Sequence, residues 1–314
     1  MPVQPADLEK YQAFVIERIK RLGCLEFDPE TILWDYTSGP GLLEIIESGT
    51  INATQVACLN DSTEVRYAAK LYRDALIEVR TKNAKDPVAN KFLTKVLELT
   101  QEDPAVPSHA PSRFFVACFS SQEDDISQWR AYADPSGENG YAIGFVARGL
   151  NNLPNGAVLR VNYNRELHKT IASEVADATL AFYQEGIENK RSDTEEQWAN
   201  EFLAAWQEMI GRLAPIAKDD GFQAESEFRI VHELNVTEAH QIRFKQKATL
   251  LSRYLALSFP QWMQTRSPML PIARVMIGPG RQQAVTRVSV NSLLQQMGYA
   301  NIPISISVRP LQRA

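Results

Sequence analysis

Apolar positions recur at helical spacing over much of the chain. Between residues 7 and 22, Leu8, Tyr11, Val15, Ile19 and Leu22 form one stripe, and Gly23 follows as a stop. This predicts an N-terminal helical extension over residues 1–30. Residues 62–80 carry a second stripe of Val65, Ala69, Tyr72, Leu76 and Val79, with Ser62 or Thr63 as cap. Residues 87–101 carry a third, capped by Asp86 with Pro87 in the first turn. Leu167, Ile171, Val175, Ala178 and Phe182, then Trp198, Phe202, Ala205, Met209 and Leu213, predict a helical pair ending at Pro215. Trp198 and Trp206 read as core residues of that pair.

Other segments have strand patterns. "RFFVACFSS" is a continuous apolar run, which suits a central strand buried on both faces. Leu33, Trp34 and Tyr36 predict a short strand or turn. "YAIGFV" (141–146), "VLRVNY" (158–163), "SEFRIVHEL", "ARVMIG" (273–278) and the alternating "NIPISISV" (301–308) follow. Short helices are expected in "GPGLLEIIESGTI", closed by Gly49, and around residues 289–297. The succession predicts an α+β protein with a mixed or antiparallel central sheet. Residues 31–314 read as a single domain, with the helical pair at about 165–216 inserted and packed against the sheet.

The 314 residues carry a net charge of −5, and the mean hydropathy is −0.27. Both suit a globular chain without the basic excess of phosphate-neutralising proteins. Cys24, Cys58 and Cys118 are scattered and form no C-x-x-C, so a reducing cytoplasm is expected rather than a disulfide framework. No signal peptide and no membrane-spanning run are expected. The four histidines lack zinc-site spacing, so no metal is expected from them. "IGPGR" (277–281) has neither P-loop nor dinucleotide spacing and reads as a turn. "SGPG" (38–41) precedes a helix, where backbone N–H groups are able to meet a phosphate.

Four segments stand out. "LWDYTSGPGLLEIIESGTI" is the first. "CLNDSTEVRY" crowds Asn60, Asp61 and Glu64 together, although Asn60 or Asp61 equally serves as a helix cap. "VACFSSQEDDISQWRAYADPSGENGYAIGF" ends a buried strand in two serines, and a short helix then offers Trp129, Arg130 and Tyr132. "QAESEFRIVHEL" places Glu225, Glu227 and Arg229 at alternate positions. As a strand it would turn all three to one face. The plain reading of that face is a solvated Glu–Arg pair.

In this order, "YTS…GLLEIIESG", "LND..E", "ACFS…WR.YAD…GYAIGF", "ESEFRIV", "PIARVMIGPG" and "NIPISISVRPL" resemble the bacterial domain-of-unknown-function family 2971, from about Leu33 to Leu311. That family's pattern in turn resembles a stretched ADP-ribosyltransferase core, a fold class that binds NAD in a cleft. Its three-part signature corresponds here to Tyr36-Thr37-Ser38, Phe119-Ser120-Ser121 and Glu225-Ser226-Glu227. The resemblance implies an NAD-using enzyme that cleaves the nicotinamide–ribose bond, with Glu227 as main catalytic carboxylate and Glu225 as helper. Tyr36, Thr37, Ser120, Tyr132 and Arg229 would meet the nucleotide, with Trp129, Asn60, Asp61 and Glu64 lining the same cleft. Nucleic acid, protein or water would be the acceptor. The first motif of that class usually presents His or Arg, where this chain has Asp35. Two other readings stay open. One is a non-catalytic module that binds a nucleotide or small ligand through the same residues. The other is a metal-dependent nuclease using Asp61, Glu64, Glu225 and Glu227 as carboxylate ligands.

Overall fold

The computed structural model describes residues 6–59, 62–99, 113–132, 140–190, 192–247, 250–259, 269–299 and 301–309. In chain order the elements are α1 (Ala6–Lys20), β1 (Ile32–Thr37), α2 (Gly39–Ser48), β2 (Ile51–Gln55), α3 (Ser62–Lys82), α4 (Pro87–Leu99), β3 (Phe114–Ser120), α5 (Ile126–Tyr132) and β4 (Tyr141–Val146). There follow α6 (Ala147–Leu150), β5 (Gly156–Arg160), α7 (Arg165–Glu188), α8 (Glu195–Leu213), β6 (Glu227–Glu233), β7 (Arg243–Lys247), β8 (Leu250–Leu257), β9 (Ile272–Ile277), α9 (Gln283–Gln296) and β10 (Ile304–Ile306). The fold is α+β, and the chain divides into two compact units. No helix among the described residues is long and apolar enough to cross a membrane.

The helical unit gathers residues 1–25, 56–114 and 161–222. The N-terminal helix and the helical pair, read from the sequence as an extension and an insertion, lie here with α3 and α4. Aromatic rings fill its core. Phe92 and Tyr183 stack with centroids 3.6 Å apart, and Phe202 packs against Tyr11 and Trp198. Two of its buried polar groups are paired inside: the Trp198 indole N–H donates to the Tyr183 carbonyl at 2.9 Å, and the Tyr11 hydroxyl meets Thr179 Oγ1 at 3.1 Å. Gly186 lies directly under the Trp198 indole, where a Cβ would overlap the ring. Gly186→Ala gains helix propensity but overpacks this contact. It is expected to destabilise the fold by about 1–3 kcal/mol, read as a lower denaturation midpoint.

The sheet unit gathers residues 26–55, 115–160 and 223–314. Its strand order is β10-β9-β4-β1-β3-β2-β8-β7, with β6 also on β3 and β5 on β6. β10 runs parallel to β9; β1 is antiparallel to β3 and to β4. Alternation along β1 sends Leu33 into the main apolar cluster with Ile143 and Phe145. Trp34 and Tyr36 go to a smaller cluster with Trp129 and Met276. Helix α2 starts where Ser38 Oγ accepts the Gly41 N–H and ends at Gly49, whose φ of 62° lies in the left-handed region. It buries Leu42, Ile45 and Ile46 in the main cluster, and α9 adds Val290 and Leu294.

Candidate functional site

The three segments that carry the resemblance fold as neighbouring strands, with β3 between β1 and β6. Strand β3 is largely buried and ends at Ser120, which opposes Trp34 on β1. Ser120 Oγ donates to the Glu225 carbonyl at 2.9 Å. Ser121 donates to the Ser226 carbonyl through its N–H at 3.1 Å and its hydroxyl at 3.2 Å. The two serines therefore clamp the start of β6 to the end of β3.

That clamp corrects one expectation. Ser226 has a φ of 46°, a left-handed conformation that an L-residue adopts at some cost. The strand begins only at Glu227, and Glu225 ends the turn before it. Glu225 therefore does not share a strand face with Glu227 and Arg229. It is half-buried on the approach to the strand.

Glu227 and Arg229 do share a face, but not a solvated one. Arg229 is 1% exposed and Glu227 7%. Arg229 Nε and NH2 donate to Glu227 Oε1 and Oε2, each at 2.8 Å. This is a bidentate pair in which the planar fork matches the carboxylate. Phe228 and Ile230, at the intervening positions, enter the main apolar cluster. Removing two charges from water is costly, and apolar residues of equal volume often do as well for stability.

Tyr36, Ser120 and Ser226 meet around Gln122. The Tyr36 hydroxyl donates to the Gln122 carbonyl at 2.6 Å and accepts the Asp125 N–H at 3.1 Å. The Gln122 N–H donates to Ser120 Oγ, and its side-chain amide reaches Ser226 Oγ. Burial, reinforced by Asp125, Asp124 and Glu123, pushes the Tyr36 phenol up; the hydrogen bond from Asp125 opposes the shift. Trp129 meets Tyr36 edge to face at 4.6 Å and is 1% exposed. Its indole N–H donates to Asp124 Oδ1 at 2.8 Å, and its ring lies close to Gly278 in the turn after β9. Asp124 also accepts Ser307 Oγ at 2.7 Å and the Val308 N–H, which fastens the chain after β10. Asp124 drew no attention in the sequence, because nothing local marks it as the meeting point of distant segments.

Thr37 is half-buried beside Gly41. Tyr132 is 50% exposed. Asn60 and Asp61 lie outside the described residues, as does the side chain of Glu64. Asp35 sits on β1 opposite Ile143, on the strand face away from Trp34 and Tyr36. Its carboxyl makes no hydrogen bond among the described residues. Burial pushes its pKa up to about 7, with Lys245 pulling weakly the other way. Among the described residues no group of three or more His, Cys, Asp or Glu is placed to hold a metal ion.

No curated protein and no solved structure matches the chain. A family model described as a protein of unknown function (DUF2971) matches residues 128–230, from the turn of α5 that bears Trp129 to the Ile230 of β6, and supports the resemblance to that family on the segment containing Glu227 and Arg229.

Proposed function

We propose that the sheet unit is an NAD-using enzyme that cleaves the nicotinamide–ribose bond, with Glu227 as its main carboxylate. The observation that carries this reading is the adjacency of β1, β3 and β6, which gathers Tyr36, Ser120 and the start of the Glu227 strand around Gln122. Departure of nicotinamide leaves positive charge on the ribose, as in glycoside hydrolysis. A fixed carboxylate stabilises that charge as it develops, and needs no reorganisation at the moment of reaction. Arg229 is the positioning residue, because its bidentate grip fixes the plane of the Glu227 carboxylate. Glu225, outside the strand, remains as helper on the acceptor side. Water or another nucleophile then bonds to the ribose carbon and loses its proton, and nicotinamide leaves with the electron pair of the broken bond.

The test is nicotinamide release from NAD, measured by chromatography for wild type and Glu227→Gln with matched thermal melts. A fall in turnover of about 100-fold or more is expected. Absence of release by wild type with water, protein and nucleic-acid acceptors overturns the catalytic reading. A second reading is nucleotide binding without turnover. It is favoured by the fact that both Glu227 oxygens already accept from Arg229. Calorimetric binding of NAD without nicotinamide release selects it.

A further inference from the structure

In the helical unit, α3 and α7 run side by side in the same direction. Tyr67 meets His168 near their N-termini, and Asp86 meets Gln184 beyond the far end of α3. Between them lies a cleft of about 720 Å³. Its charges are sorted along its length. Lys70 and Arg165 stand near the N-terminal end, and Asp74, Glu78 and Asp177 stand further along. None of these five forms an ion pair among the described residues. The other lining charges are largely neutralised: Lys169 is held by Glu166 at 2.8 Å, and Glu174 by Arg18 at 3.1 Å and Arg21 at 2.6 Å. Asp219 is the lining carboxylate at the cationic end, and it accepts the Gly221 N–H at 3.1 Å.

The wall at the cationic end is built from within. The Tyr67 hydroxyl lies 2.9 Å from His168 Nδ1. His168 is 4% exposed, and its Nε2 has no hydrogen bond of good geometry. Burial pushes its pKa down to about 4, against weaker pulls from the Asn162 carbonyl and Asp219. A buried neutral imidazole that faces the Asn162 carbonyl through Nε2 accepts the Tyr67 O–H at Nδ1, which holds the phenol rigidly in the cleft wall. Like charges four residues apart, as Asp74 and Glu78 are on α3, weaken a helix slightly unless a cation lies between them.

We propose that this cleft binds an elongated zwitterion. A phosphate or carboxylate would sit between Lys70 and Arg165, and an ammonium group among Asp74, Glu78 and Asp177. From the helical rise, Lys70 and Glu78 are about 12 Å apart along α3, so the ligand's charges are separated by a chain of several bonds. A plain polycation would leave Lys70 and Arg165 facing it, and a plain anion would meet the three carboxylates.

The experiment is calorimetric titration of the full chain with aminohexyl phosphate, spermidine and inorganic phosphate. Aminohexyl phosphate is expected to bind at least 10-fold more tightly than either of the others. The Asp74→Asn/Glu78→Gln double variant is expected to erase that advantage over phosphate, and Arg165→Gln to erase it over spermidine. All three positions are exposed, so folding is not at stake. Equal affinity for aminohexyl phosphate and phosphate overturns the proposal. So does tightest binding of spermidine, or indifference to the variants. NAD is absent from every arm, so the outcome is separate from that of the proposed reaction.

Discussion

Arg229→Met is expected to lower the unfolding free energy by about 3–5 kcal/mol, because it removes the bidentate cation from the buried Glu227 carboxylate. The magnitude follows from burial. At 1% and 7% exposure the two groups have almost no access to water, and the two 2.8 Å hydrogen bonds of the fork are lost together. Arg229→Lys is expected to recover only part of the loss, since an ammonium does not reproduce the planar two-point match. The Glu227→Gln/Arg229→Met double variant removes both formal charges and is expected to be more stable than Arg229→Met alone. Urea unfolding of the wild type and these three variants reads the series. A double variant no more stable than Arg229→Met would show that the pair is not the source of the cost.

Asp35→Asn is expected to stabilise the protein, and increasingly so as pH rises. The Asp35 pKa goes from 3.8 to about 7 on folding, chiefly through burial, so the folded state binds a proton that the unfolded state has already released. Its contribution is fully present below the unfolded value and is lost as pH climbs through about 7. For a carboxyl wholly out of water the change would correspond to ~4 kcal/mol, and the residual exposure of Asp35 reduces this to ~2 kcal/mol. The amide of the variant does not titrate. The stability gap between variant and wild type should therefore widen by about 2 kcal/mol from pH 3 to pH 8. Other titrating groups are common to both proteins and cancel in the difference. A gap that stays constant with pH would place the Asp35 carboxyl in water.

The chemistry of the amino acids made much of this fold readable. Continuous apolar character marked β3, and stripes at helical spacing marked α3, α7 and α8. The misreadings share a physical cause, which is that the deciding contact lies far away in the chain. The alternation in "QAESEFRIVHEL" reads as one strand, yet Ser226 is forced left-handed by hydrogen bonds from Ser121, more than a hundred positions earlier. Residues 243–257 gave no clear signal, because Leu250, Leu251, Tyr254 and Leu255 suit a helix as well as a strand. Pairing with β2 is what makes β8 a strand. Helix α9 begins at Gln283, before the predicted 289, because its first turns leave Val285 and Val288 67% and 68% exposed and so show no apolar stripe. The C-terminal alternation over 301–308 yields only Ile304–Ile306 as strand. For the site, residue types pointed to Glu227 and Ser120. They gave no hint of Asp124, or that the Glu227–Arg229 face would be dry.

Both compact units are stitched from three separated stretches of chain. During vectorial synthesis the helical unit stays incomplete until α8 has left the ribosome, and the sheet unit until β10 has. Most of the nascent polypeptide must therefore wait, with the apolar β3 unpaired against β6, while about a hundred residues are added. A topology so rich in distant pairings folds slowly and exposes strand edges while it waits. Slow refolding from denaturant is the expected consequence, and no contiguous fragment is expected to fold as either unit alone.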